Sequence, residues 1–474
     1  MIKRFLKDSA IYLVPNLLGR GMSLFLIPLY TEVLSPGDYG VFDLFSMFAS
    51  LANLVVAFEV NQGIARFYSS SSSDKDKVEY ASSALWFTVA TYLTFCLILY
   101  VFSGKLAPLI MGKEGLLDVY YIGIVHIFLG GLNLLVQNQF KWELKSKTYA
   151  IQSIILLIST AAASIYLTYV LNWGVKGVVL GQVFGFVCST LFGFTSLRKT
   201  YFFTFNIRKL REMLIFSAPL VPASMAVFFM NYSDRLMINH FFSVDELGLY
   251  GIAFRISAVV SILLIGVRSA LMPLIYANFE KKETVGELEK LFRYFVLMAL
   301  IFFVSISLLS QWVLEVFTSE AFYSAYQYVP ILVLGIIFSQ SYIFMPGASI
   351  KKKTKYFLFI NILTAGINIG MNLLLIPYWG LIGVALATFI AHFMSFVLHV
   401  VVSQRLYYVP HKLMRLFMVF IFTIVMVYGL INYYEINRLL LVIIVNLSLI
   451  ALSFMAGLIR VEELTSLKKT ILKR

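Results

Sequence analysis

The chain has 474 residues, 60% of them hydrophobic and only 13% charged, with a mean hydropathy of +0.86. So few charges cannot clothe a water-soluble fold of this size, and the composition selects the membrane. The net charge of +14 would suit nucleic acid in a soluble protein, but here it is scattered over short connections where it meets anionic headgroups, so no nucleic-acid partner is expected.

A span needs about 20 mostly apolar residues. Fourteen stretches qualify, at 9–34, 39–65, 81–103, 119–140, 149–171, 174–196, 213–240, 246–275, 292–314, 325–348, 356–377, 380–403, 413–432 and 438–459. Alternate connections carry 30 of the 38 Lys and Arg residues, and the opposite set holds only Lys105, Lys113, Lys176 and Arg438. The positive-inside rule then puts both termini in the cytoplasm, as an even number of spans requires. Arg20 interrupts the first apolar run and no small-residue cleavage site follows, so an uncleaved first helix is expected rather than a signal peptide. Cys96 and Cys188 both fall inside spans, which leaves no disulfide framework and no metal motif.

The first and seventh spans carry polar stripes. Ser9, Asn16, Ser23 and Tyr30 recur every seventh residue, as do Ser217, Ser224, Asn231 and Ile238. Seven residues is close to two helical turns, so each set shares one face. Prolines fall in the same two spans, Pro15 and Pro28 in the first and Pro219 and Pro222 in the seventh. Each removes a backbone donor and marks a candidate hinge.

These coincidences reflect an internal repeat. At an offset of 208, Ser9 aligns with Ser217, Met22 with Met230, and the turn Leu34-Ser35-Pro36-Gly37-Asp38-Tyr39-Gly40 with Phe242-Ser243-Val244-Asp245-Glu246-Leu247-Gly248. At an offset of 206, Trp173-Gly174 aligns with Trp379-Gly380. The expected architecture is all-α: residues 1–200 and 201–408 form two six-helix lobes related by a pseudo-two-fold axis along the membrane normal, and 409–474 a C-terminal helix pair with a cytoplasmic tail. Transporters built from such repeats bind their cargo near the midplane between the halves. In the sixth span Gly177, Gly181, Gly185, Ser189 and Gly193 form a ridge of small side chains, which permits close helix packing.

Charges at membrane depth carry the functional expectation. An ionised side chain at a helix centre costs about 2.5–3.5 kcal/mol on insertion scales, so Arg20, Asp43, Glu59, Asp234, Arg235, Arg255 and Arg268 should face water or one another. Glu59 is the repeat mate of Val267, beside Arg268, which makes Glu59 and Arg268 a candidate ion pair. Arginines outnumber carboxylates in this set, and guanidinium groups match phosphate bidentately. Arg20, Arg255, Arg268 and Arg235, with Asn16 and Asn231, are therefore the candidate ligands of an anionic, phosphate-bearing substrate. No nucleotide-binding loop is present, the longest outer connection (104–118) is too short for a catalytic lobe, and the five histidines have no metal-ligand spacing. Neither catalytic residues nor a cofactor nor a metal is expected.

The stretch Pro28-Leu29-Tyr30-Thr31 with Leu34-Ser35-Pro36-Gly37-Asp38-Tyr39-Gly40 resembles the first helix and turn of Wzx-type polysaccharide flippases, of the multidrug/oligosaccharidyl-lipid/polysaccharide superfamily. Asp234-Arg235 with Glu246-Leu247-Gly248-Leu249-Tyr250 is similar to the matching segment of their second half. The resemblance implies a flippase in the bacterial cytoplasmic membrane that moves undecaprenyl-pyrophosphate-linked oligosaccharide by alternating access. It also implies coupling to a proton or sodium ion, with Glu59, Asp43 or Asp234 as the carrier, and admits glycan polymerase or other assembly proteins as partners. A lipid II flippase and a drug exporter of the same superfamily are the alternatives. The arginine surplus speaks against cationic drugs.

Overall fold

The computed structural model describes residues 2–261, 275, 282–351, 353, 355–431 and 437–458, and for 2–13, 16, 20 and 282 the course of the backbone alone. The described residues are helical, joined by short turns. The helices are α1 (Ile2–Val33), α2 (Pro36–Val55), α3 (Val60–Ser70), α4 (Asp74–Val101), α5 (Ser103–Met111), α6 (Leu117–Trp142), α7 (Ser146–Ile165) and α8 (Gly174–Ser196). They continue with α9 (Ile207–Ser217), α10 (Val221–Phe241), α11 (Val244–Ser257), α12 (Lys282–Phe317), α13 (Val329–Ser341), α14 (Lys355–Leu406), α15 (Leu413–Leu430) and α16 (Arg438–Met455).

Ten helical segments among the described residues are long and apolar enough to cross a bilayer, and the bent pair α2–α3 makes up to eleven. The chain is a multi-pass membrane protein. Fourteen spans were expected, and the difference has physical sources. The 52 residues of α14 would reach about 78 Å if straight, far beyond a hydrocarbon core of about 30 Å. The helix breaks instead at Gly380, whose φ of 56° and ψ of −136° are not helical, between the two spans expected at 356–377 and 380–403. Side chains in the first half of α1 lie outside the description, and the span expected at 246–275 runs past α11 into residues outside it as well.

The chain packs as two compact units, Met1–Ile252 and Ala253–Arg474. The seam falls later than the repeat boundary at 200/201 because α10 and α11 pack against α2, as the glycine contacts below show. Within the first unit, the small-residue ridge of α8 lies directly on α7. A Cβ at Gly185 would overlap Thr160 Oγ1, and one at Gly181 would overlap Ser164. Between α6, α7 and α8, Ser189 donates to Asn133 Oδ1 at 2.6 Å, and Gln152 Nε2 donates to the same oxygen at 3.4 Å. In hydrocarbon, where helices gain no hydrophobic attraction for each other, this close contact and shared hydrogen bonding hold the bundle.

Glu143, just past the end of α6, ties four segments together. Its Oε1 accepts from Tyr68 at 3.2 Å, Thr200 at 2.6 Å and Gln139 at 3.2 Å, while Oε2 lies 2.6 Å from Lys145 Nζ. Burial pushes this carboxyl upward, but the hydrogen bonds from Lys145, Thr200 and Gln139 outweigh it and hold it below its ordinary value. In the second unit, Arg438 opens α16 by donating to Gln311 Oε1 at 2.6 Å and to the Leu308 carbonyl at 3.2 Å, both on α12. Arg293 Nε and Lys412 Nζ share Glu289 at 2.9 and 3.4 Å, joining α12 to the start of α15.

Gly185→Leu is expected to destabilise the protein by about 1–3 kcal/mol through overpacking, read as a lower midpoint of thermal unfolding in detergent. A carboxyl whose folded pKa lies below its unfolded value contributes stability above the unfolded pKa and loses it as pH falls through the folded one. The thermal midpoint of the wild type should therefore drop on acidification below about pH 4.3, the ordinary Glu value, and Glu143→Gln should flatten that part of the profile.

Candidate functional site

The two copies of the repeated turn fold alike. Ser35 caps α2: its Oγ accepts from the Asp38 backbone at 3.1 Å, and Asp38 Oδ2 accepts from the Ser35 backbone at 3.1 Å, with Pro36 in the first turn. Ser243 and Glu246 repeat the box at the start of α11, with backbone bonds of 3.2 and 3.4 Å and a side-chain bond between them. Each box satisfies two orphan donors at the helix start. The turns also touch reciprocally. A Cβ on Gly40 would overlap the Val244 carbonyl, and one on Gly248 would overlap the Pro36 carbonyl. Gly40 and Gly248 are equivalents at the 208 offset, and so are Pro36 and Val244. Only glycine allows backbone to meet backbone this closely on both sides.

One to two turns further into the helices lies a buried charge cluster. Arg235 Nε lies 3.2 Å from Asp43 Oδ2, and its Nη1 lies 3.1 Å from Asp234 Oδ1 and 3.3 Å from the Asn231 carbonyl. The Tyr250 hydroxyl donates to Asp234 Oδ2 at 2.8 Å, and Tyr232 lays its ring under the guanidinium at 5.2 Å. Asp43, Asp234 and Arg235 are 7%, 4% and 6% exposed. Such burial is tolerable only because every charge has a partner. Arg235, expected to meet substrate, is thus engaged by two of the three candidate ion carriers.

The third carboxylate, Glu59, sits where α2 breaks into α3 at a bend of 44°. Phe58 and Glu59 have φ values of 49° and 53°, a left-handed conformation costing roughly 1–2 kcal/mol for each such residue. Two serines hold the break. Ser217 donates to the Phe58 carbonyl at 2.8 Å, and Ser224 donates to Glu59 Oε1 at 2.6 Å. Both belong to the polar stripe read from the sequence. The seventh span is itself interrupted here, since Pro219 lies in a 3₁₀ turn (Ala218–Leu220) between α9 and α10, and Pro222 occupies the first turn of α10. Pro15 and Pro28, by contrast, lie inside an unbroken α1. A chamber of about 580 Å³ opens between α2, α3 and α10, lined by Asn53, Glu59, Gln62, Ser224, Asn231 and Tyr232 among others.

A second space of about 490 Å³ penetrates the bundle formed by α1, α2, α6, α7 and α8. It shares Ser50 and Asn53 with the chamber. Sequence reasoning overlooked this recess, although Ser46, Ser50 and Asn53 follow one another at helical spacing on α2. Among the described residues lining the two spaces, Glu59 is the one charged side chain. The backbone of Arg20 runs between Gly19 and Met22, which line the recess, but the side chains of Arg20 and Asn16 lie outside the description, as does all of Arg268. Arg255 is half-buried on α11. The expected Glu59–Arg268 pair therefore falls partly outside the described residues.

The polysaccharide biosynthesis protein family matches residues 31–277, more than half of the chain. The chain belongs to that family. The MatE family matches residues 219–374. The probable low-salt glycan biosynthesis flippase Agl15 of Haloferax volcanii is 22% identical over 403 residues, 83% of this chain and 82% of that protein. An uncharacterized membrane protein of Haemophilus influenzae is 23% identical over 400 residues, 80% of this chain and 94% of the relative. Among solved structures, the lipid II flippase MurJ in an inward closed conformation matches with a TM-score of 0.75 at 17% identity, covering 95% of this chain and all of that one. Identity that low establishes the fold alone. Family and fold are those of flippases and transporters of the multidrug/oligosaccharidyl-lipid/polysaccharide superfamily, not of enzymes.

Removing one partner from a buried ion pair strands the other charge, at about 3–5 kcal/mol. Arg235→Gln should therefore lower the thermal midpoint more than the double variant Asp43→Asn/Arg235→Gln, and a double-mutant cycle on purified protein measures the coupling.

Proposed function

We propose that this chain is the flippase that moves undecaprenyl-pyrophosphate-linked oligosaccharide units across the cytoplasmic membrane by alternating access, drawing on an ion gradient. The observation that supports this best is the chamber with its recess, polar space inside an apolar bundle, lying beyond an end where two helix pairs meet through glycine. On the positive-inside rule the end bearing the Gly40 and Gly248 contacts is the outer one, and both termini are cytoplasmic. The same reading makes the two six-helix lobes equivalents about an axis along the membrane normal.

Opening at the outer end then requires three separations together: Gly40 from Val244, Gly248 from Pro36, and Asp43 from Arg235. A proton or sodium ion arriving at Asp43 or Asp234 competes with the guanidinium for the carboxylate. It favours the separated state by as much as it binds that state more tightly. Arg235 in this reading is a closure residue. The pyrophosphate is met by Arg20, Arg268 and Arg255, with Asn16 and Asn231 on the same stripes, while Glu59 stands at the hinge between α2 and α3. Pro219 and Pro222 mark the bend of the seventh span, and Pro15 and Pro28 supply free carbonyls in the first.

Complementation of a deletion strain tests the assignment. Wild type should restore surface glycan with peptidoglycan unaffected. Arg20→Ala, Arg268→Ala, Gly40→Val and Gly248→Val should each abolish display at normal protein level in the membrane. Normal display by an arginine variant removes that residue from the substrate path, and lysis of the deletion strain points to lipid II instead. Display by the Asp43→Asn/Glu59→Gln/Asp234→Asn variant that ionophores leave unchanged would remove these carboxylates as carriers of the coupling ion.

A further inference from the structure

The recess differs chemically from the phosphate-binding site the proposed function calls for. Among the described residues, no charged side chain lines it. Its wall offers serine and threonine hydroxyls, including Ser46, Ser50, Ser153 and Thr160, and the carboxamides of Asn53, Gln137 and Gln182. Several of these groups have unused capacity. Asn53 accepts from the Tyr92 hydroxyl at 2.9 Å through Oδ1, which leaves both of its amide hydrogens to offer. Gln137 donates through Nε2 to Ser153 at 2.8 Å, leaving Oε1 to accept. His126, 8% exposed, has a buried Nδ1 without a hydrogen-bond partner, and its ring is held 5.0 Å from both Phe45 and Phe186. Tyr149 and Phe186 add aromatic surface.

An anion would lose its hydration here and meet no counter-charge among the described residues. A purely apolar chain would leave the carboxamides unsatisfied. A ligand whose groups both donate and accept, carried on an apolar C–H framework, meets neither penalty. Sugar hydroxyls are of that kind, and a pyranose presents a C–H face that packs on aromatic rings. We propose that the recess between α1, α2, α6, α7 and α8 is a carbohydrate subsite, which takes uncharged sugar residues of the cargo. This rests on the flippase reading and adds to it the means by which the protein distinguishes a glycan-bearing lipid from a bare one. Ser50 and Asn53, shared by both spaces, mark the junction of the recess with the chamber.

The test uses the full-length protein in nanodiscs and two probes: synthetic undecaprenyl pyrophosphate, and the lipid-linked glycan fraction extracted from the native membranes. Bound lipid is counted by native mass spectrometry. The wild type should retain the glycan-bearing lipid at least about tenfold more tightly than the bare one. Leu157→Trp, which fills the recess, and Gln137→Leu, which removes a carboxamide at nearly constant shape, should each bring that ratio towards one. Equal retention of the two lipids by the wild type overturns the subsite, as does a variant with the recess filled and the ratio intact. Retention of neither lipid by the wild type overturns the flippase reading itself.

Discussion

An ionised group cannot face hydrocarbon, and this constraint arranges the first unit. Asp43, Asp234 and Arg235 are buried together because each supplies what the others lack, and Tyr250 occupies a further carboxylate lone pair. Their contact joins α2 to α10 and α11 across nearly 200 positions of sequence, beside the place where Gly40 and Gly248 let backbones meet. The electrostatic clasp and the steric one occupy the same end of the helices. Neither would suffice alone: a lone ion pair tolerates splayed helices, and bare glycine contacts have little energy of their own.

Much of this was legible in the sequence. The all-helical, membrane-spanning class follows from hydropathy, which is set by the solvent rather than by tertiary detail. The repeat marked Ser217 and Ser224 as inward-facing and paired the Ser35 and Ser243 turns before any contact was known. What stayed hidden was partnership. Arg235 looked like a surplus cation because its counter-charge Asp43 lies far away in sequence, and only the packing of α2 on α10 brings them together. The left-handed pair Phe58-Glu59 has no signature either, since neither residue favours that conformation and hydrogen bonds from a distant helix impose it. The recess escaped notice because serine and asparagine are commonplace in membrane helices, and five different helices supply its wall.

The two polar spaces differ in the walls that enclose them. The chamber carries a carboxylate beside a bent helix and adjoins the stripes of α1 and α10. The recess has no charge among the described residues and is enclosed by closely packed helices, among them α7 and α8 with their ridge of small residues. A site that discriminates by hydrogen bonding gains from rigid walls, whereas a passage that must open gains from the breaks at Phe58-Glu59 and Ala218–Leu220.

The Gly40–Val244 and Gly248–Pro36 contacts are each other's copies, so the surface they form is self-complementary in the manner of an isologous homodimer interface. A patch of that kind needs no second sequence to recognise. Two identical half-length chains, each carrying one such turn, could already have met in this way, and fusing them would have required only a connecting segment. At the starts of α2 and α11 the chain thus meets itself through two equivalent contacts, each made by the residues that are the other's repeat mates.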